Sequence, residues 1–282
     1  MMGAHHAACG AAAWVALTSQ AEVSLAAVQQ NAPWLPDSLT LGMGLLDLSP
    51  MGIITGALVC AGAALVPDAD HHNATIAHSL PPLSNVVCGA IGKVSGGHRH
   101  GTHSILGVIA FVAVAFVAGL WVIDTDAFGA VYAGAGILTV LLTAFAAKAL
   151  KLMPDRLRKT PWAVGIFFGA FIALFGPEDQ GWFVFAMGVG VIVHILGDMM
   201  TTGGCNLVWP LSIKPPKAVQ KIPFLNRIWQ RNGYVSFPVL GNAGSVREWF
   251  LLIPISLYAA AGVIMATVDM GQTGVENMMA MF

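Results

Sequence analysis

Charge is scarce in this sequence. Of 282 residues only 10% are Asp, Glu, Lys or Arg, against about 25% in soluble domains. Hydrophobic residues make up 56%, and mean hydropathy is +0.73. That imbalance argues against a water-soluble domain and for a chain that crosses a membrane several times. A basic surplus is missing too. The 13 Lys and Arg against 14 Asp and Glu leave a net charge of −1, so no global field favours nucleic acid and no direct nucleic-acid partner is expected. The four cysteines (Cys9, Cys60, Cys88 and Cys205) are far apart with no CxxC pair. Neither a disulfide framework nor a cysteine zinc site follows from them. No basic stretch precedes the Ala-rich N-terminal run, so no cleaved signal peptide is expected.

What the chain does have is apolar segments. A span needs about 20 residues at about 1.5 Å rise each. Segments 104–123, 129–147 and 249–268 meet that length. Segments 162–176 and 182–197 are shorter, bounded by Pro161, by Pro177-Glu178-Asp179 and by Asp198; they suit a tight helical hairpin in a thin or deformed bilayer. The Ala/Gly-rich stretches 7–18 and 52–66 either span or lie protein-buried at membrane depth. The expected fold is all-α: a polytopic transmembrane helical bundle of five to seven spans. Residues 1–282 form a single integral membrane domain, with 199–248 a cytoplasmic loop region within it.

Lysine and arginine set the orientation. The loop 148–160 holds Lys148, Lys151, Arg156, Arg158 and Lys159, whereas 124–128 and 177–181 hold only acids. The positive-inside rule puts the first in the cytoplasm and the other two outside. With seven spans, segments 67–103 and 198–248 fall inside, and all thirteen cations are cytoplasmic. The polar motifs then land together at the cytoplasmic membrane surface.

"VPDADHH" places Asp68, Asp70 and His71 after an apolar stretch closed by Pro67. Carboxylate oxygens beside an imidazole suit zinc, manganese or iron; a solvated loop with Asp68 as a helix cap is the bland alternative. "HILGD" sets His194 and Asp198 four apart, on one face of a helix. That pair grips a metal or forms a buried His–Asp hydrogen bond between helices. "HRHGTHS" supplies His98, His100 and His103. Arg99 between them cannot ligate, but its fork matches phosphate or carboxylate. An interfacial loop touching headgroups is the alternative there.

The ordered set "HxxxG" (His6 to Gly10), "PDxDH" (Pro67 to His71), "HRxxTHS" (His98 to Ser104) and "HxxxDxxTxxG" (His194 to Gly204) resembles the YdjM family over about residues 3–210. That family is described as LexA-binding, inner-membrane-associated, metal-dependent hydrolases. The resemblance implies a multi-pass protein of the inner membrane and adds His6 to the ligands. It is more distantly similar to zinc-dependent phospholipase C and related zinc nucleases, whose HxxxD pairs match His194 and Asp198. No second HxxxD occurs, so a trinuclear cluster is not expected. "GSVRE" resembles a weaker late motif and gives Glu248 a polar role. His5 stands where the family often has Thr, and His72, His78 and His100 are extra.

The expected activity is metal-assisted hydrolysis of a phosphoester such as a lipid phosphate, with a divalent metal, zinc foremost. The expected ligands are His6, Asp70, His71, His98, His103, His194 and Asp198. Asp68 is the general base or an orienting group, and Arg99 holds the substrate's anionic group. A metal or proton transporter, and a regulator with a structural metal site, are the alternatives.

Overall fold

The computed structural model describes residues 1–74, 76–78, 82–152 and 160–279; the loop cations Arg156, Arg158 and Lys159 lie outside these. Helices fall on all seven apolar segments. In chain order the helices are α1 (Gly3–Thr18), α2 (Ala26–Gln29), α3 (Pro50–Ala63), α4 (Leu83–Val94), α5 (Ile105–Gly119), α6 (Ala133–Ala149), α7 (Thr160–Phe175), α8 (Gly181–Met199), α9 (Lys217–Gln220), α10 (Pro223–Ile228) and α11 (Val246–Met279). The stretches Pro50–Asp70, Gly181–Met199 and Val246–Gln272 are long and apolar enough to cross a membrane; α5, α6 and α7 are apolar but shorter.

The chain is mostly helical, with one departure from a purely helical reading. Strands β1 (Ala21–Ser24) and β2 (Ser38–Leu41) pair antiparallel, as do β3 (Ile123–Thr125) and β4 (Gly129–Val131). Both hairpins lie in the polar connections, where short strands satisfy backbone groups that no helix covers.

Capping marks where helices begin near the site. Ser49 accepts from the Gly52 N–H (3.2 Å) at the head of α3, with Pro50 at the first helical position, where its missing N–H costs nothing. Ser104 accepts from the Gly107 N–H (3.1 Å) and donates to the Gly101 carbonyl (2.6 Å). That one hydroxyl ties the helical turn Gly101–His103 to α5.

The core runs through α3, which packs against α1, α6, α8 and α11. Trp14, Val59, Cys60, Phe183 and Val191 are fully buried in it. By contrast Phe116, Val117, Phe167, Phe250 and Leu257, on α5, α7 and α11, are exposed. An exposed apolar belt of this kind is unstable in water and suits acyl chains. Two glycines set how closely the helices meet. A Cβ on Gly10 of α1 or Gly190 of α8 would each lie 2.6 Å from the Cys60 carbonyl oxygen of α3. Only their lack of a side chain lets α1 and α8 approach α3 at this level, one turn from His6 and His194.

Candidate metal centre

Four segments deliver the polar residues to one place. The helical turn Val66–Asp70 extends α3 and carries Asp68 and Asp70. The turn Gly101–His103 carries His103, α1 carries His6, and α8 carries His194 and Asp198 on one face. Asp68, Asp70, His98 and His103 each offer a ligand atom within 4.8 Å of the others, and so do His6, His194 and Asp198.

The two sets touch. His103 Nε2 lies 3.0 Å from His194 Nε2. Asp68 Oδ1 is 3.8 Å from the first nitrogen and 3.6 Å from the second. Asp198 Oδ2 is 3.6 Å from His103 Nε2, and Asp198 Oδ1 is 3.2 Å from His6 Nε2. The His6 ring stacks on His194 at 3.7 Å between centroids.

Proton accounting shows what this geometry requires. His194 Nδ1 sits 2.7 Å from the Ala64 carbonyl, which only accepts, so Nδ1 carries the hydrogen. Neutral His194 then presents a lone pair at Nε2. His103 Nδ1 faces Asp70 Oδ2 at 3.3 Å, and the Thr102 hydroxyl donates to that same oxygen at 2.5 Å. With its hydrogen on Nδ1, His103 also points a lone pair at the contact. Two lone pairs 3.0 Å apart repel unless a cation shares them. Without a metal that cation is a proton. Burial presses the His103 pKa down, but the Asp68 and Asp70 carboxylates outweigh it and lift the pKa to about 9. A divalent ion replaces the proton with more charge and the same lone-pair direction.

Further observations fit a metal. His6 is 1% exposed, yet its Nδ1 has no hydrogen-bond partner and its Nε2 meets only Asp198 Oδ1, at 3.2 Å and poorly aligned for a hydrogen bond; an unsatisfied buried polar group costs about 1–3 kcal/mol. Among the described residues Arg99 is the one Lys or Arg whose side chain pairs with the three carboxylates, and it pairs with Asp198. The ligands are held from behind as metal-binding histidines and carboxylates usually are: Ala64 fixes His194, and Asp70 takes a hydrogen bond from Thr102 and one from the Arg99 backbone N–H (3.2 Å).

The remaining expected residues sort by position. His98 Nδ1 is 3.0 Å from Asp70 Oδ1, with its side chain 35% exposed, so it lines the open side. His71 belongs to neither ligand set. Its Nδ1 accepts from the Asn73 N–H (3.3 Å), and its ring lies 4.6 Å from that of His98, which puts it at the rim. Arg99 turns inward. Its backbone is left-handed at φ 65°, its Nε donates to Asp198 Oδ2 (2.9 Å), and Nη1 donates to Thr201 Oγ1 (3.3 Å). The fork expected to hold substrate is largely committed to a ligand. His100 meets Tyr234 Oη at 3.0 Å, away from the centre. His5 pairs with Glu248, which also accepts from the Met2 and Gly244 N–H groups at 2.8 and 2.6 Å. That pair ties α1 to the head of α11.

Sequence reasoning missed Gly203. Its Cβ would fall 1.7 Å from Arg99 Nη1, so the glycine makes room for the guanidinium. The adjacent "GG" reads as a helix stop, and only the fold shows what fills the space.

This arrangement can be set beside known proteins. The model of the YdjM inner membrane protein family matches residues 1–268. The chain belongs to that family. No curated protein and no solved structure matches the chain. As a YdjM family member it is a membrane protein, and its buried His and Asp groups are arranged as a metal site would need.

Proposed function

We propose that this YdjM family member is a membrane-bound metal-dependent hydrolase of a phosphoester, a lipid phosphate foremost, with its site on the cytoplasmic face. The observation that carries the reading is the asymmetry of the ligand cage. His6, His103, His194 and Asp198 are at most 1% exposed, while the Asp68 and His98 side chains are 20% and 35% exposed. A structural metal site is closed on all sides, and a catalytic one keeps a position open.

A divalent ion in this cage, zinc foremost, supplies Lewis acidity that brings the pKa of water toward neutrality and polarises a phosphoryl oxygen. The chain's residues do the rest. His6, Asp70, His98, His103, His194 and Asp198 hold the ion or ions. Asp68, on the open side, accepts the proton as water attacks. Arg99 holds Asp198 and turns its remaining N–H groups toward the substrate's anionic oxygen.

The test is hydrolysis of a generic phosphodiester, a phosphomonoester and a phospholipid by detergent-purified protein. Chelation should abolish activity and zinc should restore it. Asp68→Asn should keep the metal and lose about 10²- to 10⁴-fold in rate, the usual contribution of a general base. Metal-loaded protein that turns over none of the three substrates would favour the regulator with a structural metal.

A further inference from the structure

We propose that residues 211–231 form a binding site for an anionic phospholipid headgroup, separate from the metal centre. Between Met199 and Arg247 the chain carries five Lys or Arg and no Asp or Glu. Three of the cations, Lys217, Lys221 and Arg231, converge on one pocket of about 610 Å³, lined also by Gln220, Pro223 and Asn226. Among the described residues none of the three pairs with an acid, although each is exposed. Unpaired cations facing one cavity leave a positive potential that an anion neutralises. Asn226, which also lines the pocket, has a buried Oδ1 with no hydrogen-bond partner. A phosphate ester supplies the negative charge that these cations lack.

The surroundings identify the anion as lipid rather than free phosphate. Phe224 is 70% exposed and its neighbour Ile222 48%, with Ile213 at 51%. Apolar side chains among lysines are costly beside bulk water and favourable at the boundary of headgroups and acyl chains. The segment is anchored beside the candidate spans. It leaves α8 at Met199 and joins α11 at Val246, both helices long and apolar enough to span. Near its start, the Leu207 carbonyl accepts from the Ile105 N–H (3.0 Å) at the head of α5, where Ile105 and Leu106 are exposed. Internal bonds keep the pocket's shape: Trp229 Nε1 donates to the Ile213 carbonyl (2.8 Å) and Gln220 Nε2 to the Pro215 carbonyl (2.7 Å).

The experiment titrates full-length protein in neutral detergent with short-chain phosphatidylglycerol, phosphatidylcholine of the same chains, and inorganic phosphate. Bound lipid is counted by native mass spectrometry. Phosphatidylglycerol should bind at least about tenfold more tightly than either of the others, and the preference should vanish at high salt, as an electrostatic site requires. Lys217→Gln/Lys221→Gln/Arg231→Gln should weaken phosphatidylglycerol about a hundredfold, at roughly fivefold per cation near a membrane surface. The control Lys93→Gln/Lys148→Gln/Lys151→Gln, which removes equal charge elsewhere, should leave it unchanged. Equal binding of the two lipids overturns the proposal. Inorganic phosphate binding as tightly as the lipid replaces it with a soluble-anion site. Equal weakening by the control variant reduces it to a diffuse field. The wild-type salt titration decides the matter even if the triple variant misfolds, and no arm depends on the metal.

Discussion

Replacing Gly203 with alanine tests how Asp198 is held, without touching any charged residue. An ideal Cβ at 203 falls 1.7 Å from Arg99 Nη1 and 2.9 Å from Cζ. Both atoms are at the far end of a flexible side chain, so the guanidinium swings away and the backbone stays. Two bonds go with it: Nε to Asp198 Oδ2 at 2.9 Å and Nη1 to Thr201 Oγ1 at 3.3 Å. The Asp198 carboxylate is 2% exposed and Arg99 17%, so water replaces the contact poorly. A hydrogen bond to a charged group contributes about 1.5–3 kcal/mol. Loss of a supporting partner behind a ligand lowers metal affinity about 10- to 100-fold, which is about 1.4–2.8 kcal/mol, so the two estimates agree. The assay is competition for zinc against a calibrated chelator in detergent. Gly89→Ala is the control, because a Cβ there meets nothing within 4 Å. Wild-type zinc affinity in folded Gly203→Ala protein would refute the claim that Arg99 positions Asp198.

Arg99→Lys keeps the charge but loses the fork; zinc affinity should fall as for Gly203→Ala, whereas normal affinity with slowed hydrolysis would make Arg99 a substrate group alone. The His103 pKa gives a pH prediction that separates the metal-free state from the metal-loaded one. A histidine raised from 6.5 to about 9 stabilises the metal-free fold fully below about pH 6.5 and stops doing so as pH rises through about 9. Metal must displace that proton, so zinc affinity rises over the same window; between pH 7 and 10 the melting temperature of chelated protein should fall, while that of zinc-loaded protein, whose fold holds no such proton, should change little. For topology, cysteines introduced at His100 and Asp179 should label from opposite sides of the membrane, and labelling from one side would overturn the orientation.

The helices were legible because long apolar runs with few charges have few alternatives to helix in a bilayer. The α8 pair was legible for a local reason: His194 and Asp198 are four apart, so any helix presents them together. The approach of α1 was not. His6 stacks on His194 only because Gly10 and Gly190 both press against Cys60, and a long-range contact leaves no periodicity in the sequence. His71 reads as a ligand from its place in "PDADHH"; in the fold its Nδ1 accepts from the Asn73 N–H and it stands outside both ligand sets, a placement the motif does not reveal. Arg99 was read from its chemistry, which permits a substrate role. The left-handed backbone that aims it at Asp198, and the space at Gly203 that receives it, exist only in the fold. The short hairpins were invisible because strands of three or four residues in polar loops carry too little alternation to read.

The central claim is that the facing lone pairs of His103 and His194 are joined by a metal ion. Metal content of protein purified in detergent without chelator, measured by plasma mass spectrometry, tests it most directly. At least one divalent transition metal per chain is expected, and His103→Ala, His194→Ala and Asp198→Ala should each reduce it while the protein remains folded. Wild-type protein that stays metal-free after dialysis against zinc, or variants that hold as much metal as wild type, would contradict the account.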